Sequence, residues 1–379
     1  MINQMPKNKP LLFIVCTGLG YITRGFETYI SSLASHLSKA ENFSHNIEVL
    51  AGKNYDTKDY TVIPIFSIKR NNRIVQYFLS KWDFLIEQIS FFIFSVPYIV
   101  YKKPSCIYLG EYDLYCYFYK LRKYLKLNFS LVLYTGGQAI PGLYDSKRDF
   151  VHHITDRYVN ELNSTGYPLT HQFIIPHFIG IKNSYNIDLI TQIKNKAKSK
   201  KIILSVGILD DTTKKMGLLI DILQKFKNVV FPIFLGESSI ETTQIQLKLK
   251  EYFGEGNYYL GKVTQNELGS YYTAADLFVL LSEKESFGLV FIEAMFFGRN
   301  VICRKFHETE FVLKNNAKYL ENGSISQQQN NFDSLINHET LFDSKELSNY
   351  AIENYSWEVL EKKYIDMFNY IANASKILK

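Results

Sequence analysis

Cysteine is scarce: four in 379 residues, Cys16, Cys106, Cys116 and Cys303, with no Cys-x-x-Cys pair. That leaves neither a disulfide framework nor a zinc site in the sequence, and a reducing compartment is the expectation. The 20 glycines have no period and heptads are lacking, which excludes collagen-like and coiled-coil chains. Charge of one sign is also in short supply, with 43 Lys and Arg against 37 Asp and Glu. A net +6 suits an anionic small molecule or an anionic membrane surface, but is too weak to argue for nucleic acid. Long uninterrupted apolar runs are missing too. Leu11–Cys16 is too short for a signal-peptide core and reads as a buried strand. Phe84–Tyr101 is broken by Glu87, Gln88 and Pro97, so a core or interfacial helix is expected there rather than a membrane span.

What is abundant is apolar and aromatic material, 46% hydrophobic with 28 Tyr and 28 Phe, which excludes disorder. The length suits two domains. In the first half, strand patterns at Leu11–Thr17, Asn46–Ala51, Ser105–Leu109, Ser130–Thr135 and Gln172–Ile175 alternate with helical ones. The helical patterns cover Gly25–Lys39, Asp113–Lys126 and Phe150–Leu162. Ile181–Lys201 holds six lysines and reads as a connector. The alternation then restarts, with strands at Lys201–Val206, Val229–Leu235, Tyr258–Leu260, Leu277–Leu281 and Asn300–Cys303. Helices over Lys214–Phe226, Ile240–Phe253, Gln265–Ala274 and Phe287–Phe297 separate them. Strands spaced by helices of this length predict βαβ units on two doubly wound parallel sheets. Ligands of such sheets sit at the carboxyl ends of the strands, here in a cleft between domains. That architecture serves dehydrogenases, binding proteins, epimerases and transferases alike.

The chemistry concentrates in Ala275–Cys303, ADLFVLLSEKESFGLVFIEAMFFGRNVIC. A strand ends at Leu281, a loop carries Glu285, and Phe287-Gly288-Leu289 opens a helix bearing Glu293. Free amides at a helix start, with the positive end of its dipole, form an anion site suited to a diphosphate. Glu293 lies about 8 Å further along, at about 1.5 Å per residue, where a carboxylate can accept from a vicinal diol such as ribose. Glu285 can do the same for a sugar. A bare pair of glutamates eight apart carries nothing; in register with strand, SFGL and EAM it is specific.

This segment resembles the E-x7-E signature of retaining GT-B glycosyltransferases, the glycosyl transferases group 1. The resemblance runs through KIILSVGILDDTTKKMGLLIDIL, VVFPIFLGES, YYLGKVTQNELGSYYTAADLFVL and YSWEVLEKKYIDMF. It extends to GLGYITRGFETYISSLASHL and IIPHFI in the first half. It implies two Rossmann-like domains facing across a cleft: residues 1–180 on the acceptor side, joined by a final helix 358–379, and 181–357 on the donor side. It further implies a nucleoside-diphosphate sugar as donor, with no metal or other cofactor, and a glycan or lipid-linked hydroxyl as acceptor. Surface polysaccharide assembly in a bacterial cytoplasm, at the inner face of the inner membrane, is the implied setting. Lys214 is the expected cation on the leaving diphosphate, ahead of Lys215, which stands where the family has glycine; a usual arginine is replaced by Ile208. Donor contacts are expected from Gly25, which follows Arg24, and from Lys214, Glu285, Phe287, Gly288, Leu289, Glu293 and His307. The family's acceptor-side histidine position reads Thr135 or Gly136, so Glu111, His152 or His153 are alternatives. The adjacent His152 and His153 read as one packed and one exposed residue.

Asp210-Asp211 has no third ligand and predicts no metal site. A basic, aromatic helix carrying Lys120, Arg122, Lys123 and Lys126 reads as one with a buried and a solvated face, and also suits anionic headgroups. Two other functions remain open on the residues alone: a nucleotide-sugar 2-epimerase, and a non-catalytic subunit that binds nucleotide-sugar or membrane.

Overall fold

A computed structural model describes residues 9–22, 25–136, 144–180, 184–337 and 341–377. The chain divides into two compact units, Met1–Gly180 with Leu360–Lys379, and Ile181–Val359.

The first unit is a seven-stranded parallel sheet. Its elements run β1 (Leu11–Cys16), α1 (Gly25–Lys39), β2 (Asn46–Ala51), β3 (Thr61–Pro64), α2 (Arg73–Leu79) and α3 (Asp83–Lys102). There follow β4 (Cys106–Leu109), α4 (Tyr112–Leu125), β5 (Ser130–Thr135), β6 (Asp149–His153), α5 (Val159–Ser164) and β7 (Gln172–Ile174). The strand order is β3-β2-β1-β4-β5-β6-β7. β1, β4, β5 and β6 are buried along almost their whole length, as central strands covered on both faces must be.

The second unit holds α6 (Ile187–Ala197), β8 (Lys201–Val206), α7 (Met216–Leu223), β9 (Val230–Leu235), α8 (Thr242–Phe253), β10 (Tyr259–Gly261) and α9 (Gln265–Ala274). It continues through β11 (Leu277–Leu280), α10 (Leu289–Phe296), β12 (Asn300–Cys303), α11 (His307–Leu313), β13 (Lys318–Tyr319), α12 (Ile325–Asn337) and α13 (Ser344–Tyr355). Its six parallel strands are ordered β10-β9-β8-β11-β12-β13. The last helix, α14 (Trp357–Ile377), places most of its length in the first unit, where Tyr364 donates to the Pro176 carbonyl and receives a hydrogen bond from Tyr29.

In each sheet the order reverses once, between β1 and β4 and between β8 and β11. Crossover helices diverge at such a reversal and leave the strand ends uncovered, which is where ligands of these sheets bind.

Three expectations are corrected. Phe150–Leu162 is not one helix: Asp149–His153 is β6, paired with β5 and β7, and only Val159–Ser164 is helical. Every residue of Asp149–His153 is buried, so two-sided burial overrides the helical reading. The supposed connector contains α6, capped by the Asn186 side chain on the Leu189 amide and tied to Ser270 through the Asn186 amide. On α4, Arg122 is no surface cation. It forms a buried two-point ion pair with Asp149, at 2.6 and 2.9 Å, leaving Lys120, Lys123 and Lys126 exposed.

Candidate active site

The carboxyl end of β8 leads through Gly207 into a loop closed by its own acids. Asp210 Oδ1 accepts the Thr213 and Lys214 amides, at 2.9 and 2.7 Å, and Asp211 Oδ1 accepts the Leu218 amide at 3.0 Å. Both carboxylates therefore shape the turn. Lys214 lies on this loop rather than in the helix, which starts at Met216, and its stem runs over Gly207. β9 ends close by: a Cβ on Gly236 would overlap the Gly207 carbonyl, so only glycine permits that approach.

From the adjacent strand end, β11, comes Glu285. Its Oε1 accepts from Lys214 Nζ at 2.6 Å and from the Ser282 hydroxyl at 2.6 Å. The cation expected on the leaving diphosphate and the acid expected on the sugar, the pair that the resemblance makes catalytic, thus meet at the reversal point of the second sheet, with side chains 18% and 10% exposed. Lys215 turns to Glu283 instead, at 2.9 Å, and stands in the left-handed region at φ 54. Such a conformation is natural for glycine and costs a lysine about 1 kcal/mol or more.

Gly288 caps α10 at φ 81, again glycine's region. The first amides of α10, at Leu289 and Val290, have no intrahelical acceptor by geometry and carry the positive end of the helix dipole, while that of Phe291 donates to the Gly288 carbonyl at 3.0 Å. Leu289 is half-buried at this tip. Phe287 departs from expectation: its ring is buried edge-on to Tyr355, so only its backbone can face a donor. One and a half turns along, Glu293 Oε2 accepts from the buried Tyr272 hydroxyl at 2.9 Å, and burial holds the carboxyl above its usual range. His307 is exposed at the start of α11, just beyond β12. The unit's two arginines do not replace the missing cation. Arg299 donates to the Ala275 and Phe297 carbonyls, and Arg304 to the Leu320 and Glu321 carbonyls and Gln328.

In the first unit, Glu111 follows β4 at the other reversal point. Its Oε1 takes the Thr17 amide at 2.9 Å and the Thr17 hydroxyl at 3.1 Å, joining the ends of β1 and β4. Its Oε2 is buried without a hydrogen-bond partner among the described residues. Burial pushes this carboxyl up to about 7, with repulsion from Glu27 adding to it and the Thr17 donors opposing. The Thr17 hydroxyl also receives Arg70, whose Nε donates to Glu87 at 2.5 Å. None of these partners is signalled by sequence spacing; Arg70 and Thr17 come together only because β1 and β3 run parallel and the segments after them leave the same end of the sheet. Gly25 opens α1 with free space beside its Cα. Arg24 lies outside the described residues.

Both histidines of the pair are buried, against expectation. His152 is held by the Tyr108 hydroxyl and the Ile175 carbonyl at 2.8 and 2.7 Å. His153 is held by Thr135 Oγ1 and Gln172 Oε1, each at 3.1 Å. Desolvation lowers both to about 4, so they stay neutral, and His153 with its partner Thr135 is part of the core rather than an open acceptor-side base. Gly136, half-buried beside the Tyr134 ring, remains at the strand end.

Residues 186–355 match the family described as glycosyl transferases group 1. A stretch of 158 residues is 28% identical to N-acetyl-alpha-D-glucosaminyl L-malate synthase of Bacillus anthracis, a match spanning 40% of each chain. Sucrose-phosphate synthase of Thermosynechococcus elongatus superposes with a TM-score of 0.78 at 16% identity, over 96% of this chain and all of that one. HepE of Anabaena, solved in complex with UDP-glucose, gives 0.71 at 13% identity, over 95% of this chain and all of that one. WaaG, a glycosyltransferase involved in lipopolysaccharide biosynthesis, gives 0.68 at 13%, over 94% and 99%. The family match thus covers the second unit, and the fold likeness, two Rossmann-like units as in the GT-B glycosyltransferases, runs over nearly the whole chain.

Proposed function

We propose that the chain transfers a hexosyl group from a nucleoside-diphosphate sugar to a hydroxyl of a glycan or lipid-linked acceptor, with retention at the anomeric carbon and without metal. The observation that carries the reading is the 2.6 Å contact between Lys214 and Glu285, a cation and an acid set side by side at the strand ends of the second unit. On donor binding the diphosphate takes Lys214 and the α10 amides, and Glu285 turns to a sugar hydroxyl. The bond from the anomeric carbon to the phosphate oxygen breaks, and the departing charge is met by Lys214 and the helix tip. The acceptor oxygen bonds to the same face of that carbon, and its proton passes to the departing phosphate oxygen. Glu293 keeps Oε1 for the ribose diol while Tyr272 holds Oε2. Relatives solved with UDP and UDP-glucose support a uridine nucleotide as the first donor to try. We place the reaction in bacterial surface polysaccharide assembly, at the cytoplasmic side of the inner membrane; the likeness to WaaG supports that setting.

The test is nucleotide release from a panel of nucleotide-sugars, with and without acceptor extract, alongside calorimetry with the bare nucleoside diphosphate. Acceptor-dependent release is expected. Release of an inverted sugar would mean epimerisation, and binding without turnover a non-catalytic subunit. Glu293→Ala is expected to weaken binding of the bare diphosphate about tenfold, as loss of hydrogen bonding to a carboxylate oxygen should. Unchanged affinity would remove the ribose assignment.

A further inference from the structure

The helix α3 is inside out. Its buried side carries Glu87, Gln88, Ser90 and Ser95 beside Phe91 and Ile99, while Trp82, Ile89, Ile93, Pro97 and Val100 are exposed. These five recur at helical spacing and form one stripe along the outer face. Phe94, edge-on to the exposed Phe66 at 4.8 Å, widens it. Core packing does not explain such a face, and a contiguous apolar patch of this length marks a surface that something covers.

The polar side explains how the helix is held. Glu87 is bonded to Arg70 and to the Tyr21 hydroxyl, and Gln88 Oε1 accepts the Leu114 amide at 3.0 Å. Phe91 and Ile99 belong to the core of the first unit. The 20 residues of α3 would be long enough to cross a bilayer, at about 30 Å. With one face fixed to the unit by buried charge, however, α3 can only lie along the surface. The ends of the stripe carry the groups that suit an interface. Trp82 and Tyr101, apolar bodies with a polar tip, stand at either end, and Lys81 and Lys103 are exposed just outside them. Between Asp83 and Lys102 the only other acid or base is the buried Glu87.

We propose that α3 is an in-plane membrane-docking helix, its Trp82–Tyr101 face sunk into the headgroup region of an anionic bilayer, with Lys81 and Lys103 on the lipid phosphates. This site is separate from the basic face of α4 and does not depend on the transfer reading, because docking is measured without donor.

The experiment is co-sedimentation of the full chain with vesicles of phosphatidylcholine, with and without phosphatidylglycerol. Wild type is expected to pellet with the anionic vesicles, less so as salt rises. Ile89→Glu with Ile93→Lys removes the stripe at constant net charge and creates a helix-stabilising pair one turn apart, so folding is preserved. Its partition is expected to fall at least about tenfold, from the loss of two buried aliphatic side chains. Lys81→Gln with Lys103→Gln is expected to weaken binding to the anionic vesicles only. Wild type that pellets with neither vesicle overturns the proposal, and so does a stripe variant that pellets as well as wild type. Light scattering separates the remaining occupant: a dimer that the stripe substitutions turn into monomer would make the face a contact between copies, and docking would be rejected.

Discussion

Replacing Glu285 by glutamine separates two jobs that the geometry gives one carboxylate. Glu285 holds Lys214 at 2.6 Å and is itself held by Ser282. Glutamine keeps the Ser282 acceptor and the shape but discharges the pair. At 4 Å and an effective dielectric of 20 the gross attraction is about 4 kcal/mol. Desolvation and side-chain ordering oppose most of it, and partly exposed pairs retain about 1 kcal/mol. That is the restraint a diphosphate must overcome to claim Lys214. In Glu285→Gln, calorimetry is therefore expected to show the bare nucleoside diphosphate binding about fivefold tighter. Turnover should fall by about a hundredfold or more, because the group facing the sugar has lost its charge. Lys214→Met should cost more affinity in the glutamine background than in wild type, a coupling that a double-mutant cycle reads directly. Weaker diphosphate binding in Glu285→Gln would refute the reasoning, since the acid would then be helping the cation rather than competing for it.

Three further outcomes follow from the same contacts. Glu111, at about 7 in the folded chain against 4.5 for an ordinary glutamate, binds more protons folded than unfolded between those values, so its contribution falls as pH rises through that window. Glu111→Gln should thus melt higher than wild type at pH 8 by up to about 3 kcal/mol, with the gain vanishing near pH 4.5; a gain that is constant with pH would contradict the assignment. Lys215→Gly relieves the left-handed lysine and loses only a partly exposed pair, so chemical denaturation should show a gain of about 0.5 kcal/mol and calorimetry an unchanged diphosphate affinity. Arg122→Met leaves Asp149 buried and unpaired and should lose about 3–5 kcal/mol in urea melts, partly recovered by adding Asp149→Asn.

Residues acting within a local pattern were legible without coordinates. β2, α1, α9 and β12 have the bounds that their apolar periodicity and flanking residues indicate. The loop–helix carrying Glu285, Gly288 and Glu293 is a single stretch whose chemistry depends on strand, turn and helix following in order, so its spacing survives as a signal. β6 failed because Phe-Val-His-His is short and apolar enough for either element; only pairing with β5 and β7 decides it. The histidine pair failed for the same reason, since alternate faces of that strand are both covered.

By itself, the sequence determined the two tandem α/β units and the placement of one glycine-capped helix start after a strand end, because these follow from the order and period of neighbouring residues. Tertiary structure alone decided which charges meet. Lys214 and Glu285 are 71 positions apart, and Thr17 and Glu111 are 94 apart. Each pair is joined because parallel pairing brings strands distant in the chain to one sheet reversal. It decided, too, that the long apolar helix α3 turns its polar residues inward: Glu87 and Gln88 find partners in Arg70, Tyr21 and Leu114, and a group that is hydrogen-bonded can be buried where an isolated one cannot.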